Sequence, residues 1–254
     1  MDPATIIGLV MALAAIVAMI TLEGGNIGAI FLPAPLILVF FGSIGAAMAG
    51  GLLSDAKAAA VALKRALLSK PASPDGTVEA VVGLAERARR EGLLALETAV
   101  RDVEDDFLRQ GLQAAIDGAD PDELAEILSG KIETKRKADH QSAKFYEAMG
   151  GYAPTVGIIG TVLGLVHVLE NLSQPEKLGH LIAGAFVATL WGVGTANVMW
   201  LPIAARLKRL SEIECQQMEL VVEGVLAIQS GMSPRVVQQR LASMLPPDSQ
   251  QKAA

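Results

Sequence analysis

Two apolar stretches carry the same unusual residues at the same spacing. In PTVGIIGTVLGLVHVL, Gly157, Thr161, Gly164 and Val168 fall at i, i+4, i+7 and i+11, one narrow face of a helix. In AGAFVATLWGVGTANVMW, Ala185, Thr189, Gly192 and Ala196 repeat the design. Each face offers small residues and one hydroxyl near mid-length, and Gly160 with Gly164 adds a small-xxx-small pair that permits close helix approach. Two kinds of chemistry fit. One is helix packing, with each threonine bonded back to its own helix. The other is a path on which threonine oxygens help dehydrate a small cation. Neither stretch holds Asp, Glu, Lys or Arg at mid-length, whereas ionisable groups usually mark intramembrane ion routes. An ion path here therefore needs a carboxylate from another chain.

The elements that must position these faces are membrane helices. The chain of 254 residues is 52% hydrophobic and 19% charged, with a mean hydropathy of +0.42, which describes a membrane protein with a polar portion. A hydrocarbon core of about 30 Å needs about 20 apolar helical residues, and four stretches approach that length: 4–22, 31–53, 153–169 and 178–205. The first lacks the basic start and small-x-small cleavage site of a signal peptide. Instead a short turn, EGGN from Glu23 to Asn26, leads into the second, so the pair reads as a hairpin.

Basic residues set the orientation. Lys57, Lys64, Arg65 and Lys70 follow the second span; Lys131, Lys135, Arg136, Lys137 and Lys144 precede the third; Arg206, Lys208 and Arg209 follow the fourth. The other two connections hold only Lys177. The positive-inside rule then places the middle segment, the tail and the N-terminus in the cytoplasm. The expected organisation is all-α: a first transmembrane hairpin (1–53), a cytoplasmic helical insert (54–148), a second hairpin with the ion-pathway helices (149–205) and a helical cytoplasmic tail (206–254).

Within the insert, apolar residues recur at helical spacing from Val81 through Leu84, Ala88, Leu93, Leu96, Val100 and Val103 to Phe107. SPDG, Ser73 to Gly76, reads as a loop. Asp120-Pro121-Asp122-Glu123 reads as a helix start, and without a breaker that helix can run through Gly130 into the third span. Ser233-Pro234 starts a tail helix that Pro246-Pro247 stops. Pro154 and Pro202 lie near the cytoplasmic ends of the last two spans, as helix-end punctuation or as hinges.

Other chemistry is poorly supported. The net charge of −6 gives no electrostatic footing for nucleic acid. Cys215 is the only cysteine, and His140, His167 and His180 show no ligand spacing, so neither a disulfide nor a metal site is expected. No nucleophile–base pair is evident, and the glycines of GIIGTVLG follow no strand. No catalytic residue, metal or cofactor is assigned.

GGYAPTVGIIGTVLGLVHVLENL and AGAFVATLWGVGTANVMWLPIAARLK together resemble the last two spans of the MotA family of flagellar-motor stator subunits. The likeness extends to LEGGN, to ARREGLLALE and to AIQSGMSPRVVQQRLASMLPP, nearly the whole chain. TolQ and ExbB proteins are similar in the two pore helices but usually have three spans. The resemblance implies a pentamer around two copies of a single-span, peptidoglycan-anchored MotB, whose transmembrane aspartate is the missing carboxylate, in the bacterial inner membrane. It implies that ion flow drives rotation against the rotor protein FliG. It puts the pore threonines at Thr161 and Thr189, the functional prolines at Pro154 and Pro202, and the rotor-contact pair at Arg89 and Glu97, with Arg90 and Glu91 able to share that role. Sodium-type relatives tend to carry two threonines in the fourth span where this chain has Ala188 before Thr189, so protons are favoured and sodium is the alternative. An energising subunit for another envelope process, or a passive scaffold, are the competing readings.

Overall fold

The computed structural model describes residues 3–69 and 74–245, and every regular element among them is helical. In order they are α1 (Pro3–Leu22), α2 (Pro33–Ala49), α3 (Leu53–Leu68), α4 (Pro74–Glu91), α5 (Leu96–Ala99), α6 (Asp106–Ile116), α7 (Pro121–Glu170), α8 (Pro175–Thr195), α9 (Leu201–Gln229) and α10 (Pro234–Ser243). Helix α7 and the α8–α9 run each contain a window long and apolar enough to cross a membrane; α1 and α2 carry shorter apolar stretches, Ile6–Leu22 and Pro33–Ala49.

Several helix limits follow directly from local chemistry. Asp120 caps α7, its carboxylate accepting from the Asp122 and Glu123 N–H groups at 2.9 and 3.3 Å, and the helix then continues to Glu170. Asn26 accepts from Gly28 N–H at 2.8 Å to open the 3₁₀ turn Ile27–Ile30 after the EGGN turn. Two expectations need correction, and one open alternative is decided. Pro74 to Gly76 form the first turn of α4 rather than a loop, because proline suits a first helical position, where no intrahelical N–H bond is required; Ser73 lies outside the described residues. The periodic run from Val81 to Phe107 is cut at Gly92, whose φ of +87° ends α4. Pro154 and Pro202 end no helix: Pro154 is inside α7 and Pro202 is in the first turn of α9. The Pro246-Pro247 stop lies beyond the described residues.

The chain forms two compact units, one from residues 1–70 and 139–209 and the other from 71–138 and 210–254. These limits differ from the sequence segmentation because α3 and the residues 139–148 of α7 pack with the apolar hairpins. The first unit has a core of small residues, including Ala59, Ala62, Ala66, Ala143 and Ala153, around a few large ones. Tyr146 stacks on Trp200 (centroids 6.3 Å apart) and Phe40 meets Trp200 edge-on at 5.9 Å. Basic residues of this unit are tied into the packing. Arg65 forms a double contact with Asp139 at 2.5 and 3.1 Å. Arg206 donates to Ala66 O at 2.7 Å, satisfying a carbonyl at the C-terminus of α3.

Tyr146 donates its hydroxyl to Ala59 O at 2.7 Å, and burial pushes its pKa up to about 12. The neutral phenol is the favoured form in the fold, so its contribution is complete below the ordinary tyrosine value near 10 and is lost as pH rises through about 12. Tyr146→Phe is expected to cost about 1 kcal/mol at neutral pH and to flatten the fall in melting temperature between pH 10 and 12. Identical alkaline melting profiles would contradict this.

The second unit buries Val81, Leu96, Leu112, Leu128, Val225 and Val237 in one cluster. Its α4 and α9 approach closely at Gly224, where a Cβ would lie 2.5 Å from Val81 Cγ1.

Candidate functional site: the seam between α7 and α8

The two small-residue faces meet. A Cβ on Gly157 would lie 2.8 Å from Ala188 O and 3.1 Å from Thr189 Cα; on Gly192, 2.6 Å from Ala153 O and 3.0 Å from Gly157 Cα; on Gly164, 2.6 Å from Ala185 Cβ. The obstacles at Gly157 and Gly192 are backbone, which cannot swing aside, so these glycines set the helix separation. Ala185 and Ala188 are each 2% exposed, and a Cβ on Gly160 would come within 2.6 Å of Ala188 Cβ and 2.9 Å of Leu38 Cδ2. Five of the seven ion-pathway candidates, Gly157, Gly164, Ala185, Ala188 and Gly192, thus serve the contact between helices.

The remaining two form the polar centre. Thr161 Oγ1 and Thr189 Oγ1 are 2.5 Å apart across the seam. Thr161 Oγ1 also lies 2.9 Å from Ala185 O and 3.3 Å from Gly157 O, and Thr189 Oγ1 lies 3.4 Å from Gly157 O. Each hydroxyl has one proton and two lone pairs. Donation from Thr189 to Thr161 and from Thr161 to Ala185 O uses both protons on the shortest contacts. The Thr189 oxygen then keeps its lone pairs for an external donor or cation. Both threonines are half-buried. The hydroxyl bonds bridge two helices, beyond the intrahelical bonding expected from packing alone.

Beyond the seam α7 lacks one backbone hydrogen bond and the α8–α9 run changes pitch. Pro154 has no N–H for the Gly150 carbonyl, and a Cβ on Gly150 would meet Leu201 Cγ at 2.7 Å. On the other helix the turn Ala196–Trp200 is π-helical, with Leu201 N–H donating to Ala196 O. This wider turn immediately precedes Pro202, whose ring would clash with the carbonyl four residues back in a regular helix. Asn197 Nδ2 donates to Val193 O at 2.9 Å, satisfying a carbonyl beside the irregular turn. Nothing in the sequence spacing announced the π turn; the Asn-x4-Pro order is its only trace.

The charged candidates lie in the second unit and are all exposed: Arg89, Arg90 and Glu91 in the last turn of α4, and Glu97 on α5. Arg89 Nη1 donates to Gly231 O at 3.3 Å. Glu91 pairs with Arg87 at 3.4 Å, and Arg87 also donates to Thr98 Oγ1 at 3.0 Å, joining α4 to α5 across Gly92. Arg87 was absent from the sequence candidates, although its i,i+4 spacing to Glu91 was readable. Among the described residues, Arg90 and Glu97 make no side-chain hydrogen bond or ion pair.

Residues 99–220 match the MotA/TolQ/ExbB proton channel family, and residues 6–92 match the motility protein A N-terminal family. Motility protein A of Bacillus subtilis is 35% identical, with 100% of this chain and 94% of that protein covered. The chain belongs to the MotA family. Motility protein A of Helicobacter pylori strain 26695 is also 35% identical, over 100% of this chain and 98% of the relative. Chemotaxis protein PomA of Vibrio alginolyticus is 31% identical over 96% of each. Among solved structures, a chain of C. jejuni MotAB superposes with a TM-score of 0.93 at 28% identity, covering 98% of this chain and 97% of that one. A chain of the flagellar MotAB stator complex from Bacillus subtilis gives 0.90 at 33% identity, covering 98% of each. The chain is a flagellar-motor stator subunit of all-α construction, and a membrane stator component.

Proposed function

We propose that the chain assembles as a pentamer around a pair of MotB-like, single-span subunits in the bacterial inner membrane, and that the α7–α8 seam lines the ion path. The threonine pair carries this reading: two hydroxyl oxygens 2.5 Å apart, on spans with no carboxylate of their own. The hydroxyls offer lone pairs, and an aspartate on the partner's helix supplies the charge that an ion must exchange with. Four spans with both termini cytoplasmic fit the placement of the basic residues. The solved neighbours are MotAB assemblies, which supports the partner's class.

Protons are the favoured ion. Ala188, where a second hydroxyl would assist sodium dehydration, is closed in against Gly160, whereas a proton needs only a carboxylate, water and an acceptor. Swimming speed is expected to be independent of sodium and to collapse with a protonophore. Speed that follows sodium and survives the protonophore would establish the sodium alternative, which the retained hydroxyl pair supports.

Torque is exerted on FliG through the exposed charges at the end of α4 and on α5. Arg90 and Glu97, with no competing partner among the described residues, are free to steer a charged interface. Arg89→Glu with Glu97→Lys is expected to reduce torque severely while leaving ion flux through an unplugged complex unchanged. Equal loss of flux and torque would point to misfolding and remove the assignment. Pro154 and Pro202, with the adjacent π turn, are the hinge positions through which a change in the seam is passed to the cytoplasmic helices.

A further inference from the structure

We infer that the wedge between α2 and the α7–α8 pair is a binding site for one acyl chain of a membrane phospholipid. The inference rests on the reading that these helices cross a bilayer. The wedge is an open-sided groove of about 550 Å³ walled by Leu32, Pro33, Leu38, Leu163, Leu181 and Ala185, an apolar lining suited to an apolar ligand. Gly160, Gly164 and Gly184 line it; at Gly160 and Gly164 the absent Cβ admits Ala188 and Ala185 of α8, and only at Gly184 does the absent side chain leave open space. At Gly184 a Cβ would find only Leu32 Cδ1, at 3.5 Å.

Water is a poor occupant, since a buried water needs two to four polar partners and the walls are apolar along their length. Left uncovered, the groove would leave its apolar lining without dispersion contacts. A helix from a second copy, about 10 Å across with its side chains, can offer one or two side chains but cannot reach a floor where Gly160 and Ala188 are in contact. Around the wedge the single chain presents large apolar side chains, with Ile37 59%, Ile159 53% and Phe186 63% exposed. An acyl chain is flexible, apolar and available at that surface.

One end of the wedge is different. Among the described residues that line it, His167 and His180 are the only ones with polar side chains; they lie at the end nearest the Asn171–Gln174 turn, and both are exposed. Glu170 lies 3.2 Å from His167 Nδ1, and the first turn of α8 holds Glu176 next to Lys177. Imidazole N–H groups and an ammonium can donate to the ester and phosphate oxygens of a glycerophospholipid, so the apolar trough ends beside side-chain donors. The bound chain would lie along Gly160, Gly164 and Ala185, filling the back of the threonine seam.

The test reconstitutes the full stator complex in phosphatidylcholine vesicles containing a lipid with a diazirine in its acyl chain, followed by photolysis and peptide mapping. Adducts are expected on the wedge residues, from Leu32 to Leu38 and from Leu163 to Ala188, as well as on the exposed apolar surface of α1. Gly184→Leu should reduce the wedge adducts to background and leave those on α1 unchanged. Gly184→Ala, whose added methyl makes only an ordinary contact, secures folding and should give a partial loss. Labelling of α1 without labelling of the wedge, or wedge labelling indifferent to both substitutions, would overturn the inference. Absence of label on α1 as well would instead remove the membrane reading on which it rests.

Discussion

Stators carrying Thr161→Val with Thr189→Val are expected to assemble at normal levels and to generate no swimming. The two substitutions keep the shape of the side chains and remove the only side-chain oxygens at the seam's centre. Their structural cost is small. Ala185 O and Gly157 O, which accept from Thr161, are helix carbonyls with backbone partners of their own, so the change strands no buried acceptor, and the net loss is about 1 kcal/mol per bond. The functional cost is large because an uncharged seam has nothing else with which to replace an ion's water. Thr189→Ser, which restores the hydroxyl, should recover motility. Membrane abundance, partner co-purification and swimming speed are the measurements. Normal swimming of the double variant would remove the threonines from the ion path and leave them as packing residues.

Valine at Gly157 or Gly192 is expected to have the opposite profile, with loss of assembled stators and of motility together. The added Cβ alone would come 2.8 Å from Ala188 O at Gly157, and 2.6 Å from Ala153 O at Gly192. Neither backbone oxygen can move without shifting a whole helix. Overpacking a fitted interior ordinarily costs about 1–3 kcal/mol, and a backbone obstacle leaves fewer ways to relax. Alanine at either position already introduces the clash and should be defective, with valine worse. Gly130→Ala on the same helix is the control, since nothing lies within 4 Å of a Cβ there, and a glycine-to-alanine change in a helix favours folding by up to about 1 kcal/mol. Wild-type abundance of Gly157→Val stators would show that the helices are farther apart than described.

These two expected outcomes separate roles that the sequence presents as one stripe. Gly157, Thr161 and Gly164 share a face by helical periodicity, and nothing in their order distinguishes spacer from ligand. The start of α7 at Asp120-Pro121 and its passage through Gly130 were legible, because capping chemistry is local and the run contains no breaker. The break at Gly92 was less so, since apolar periodicity continues across it while the chain adopts a φ that only glycine accepts readily. Pro74 was misread for a related reason: proline and glycine punctuate loops and helix starts alike.

By itself the sequence determined that two helices carry matching faces of small residues and one threonine each, that neither carries a carboxylate, and that charge is concentrated on the segments outside the spans. Those are properties of residue type and of spacing along one helix. Only the tertiary structure decided that the two hydroxyls touch, that Ala188 is closed in against Gly160, that Arg87 rather than Arg89 pairs with Glu91, and that a π turn precedes Pro202. Periodicity fixes the direction of a side chain about its own helix axis but not the rotation and depth of that helix against its neighbour. Here those are set by where two backbones can come closest, at Gly157 and Gly192, and the threonines one turn away are brought together as a consequence.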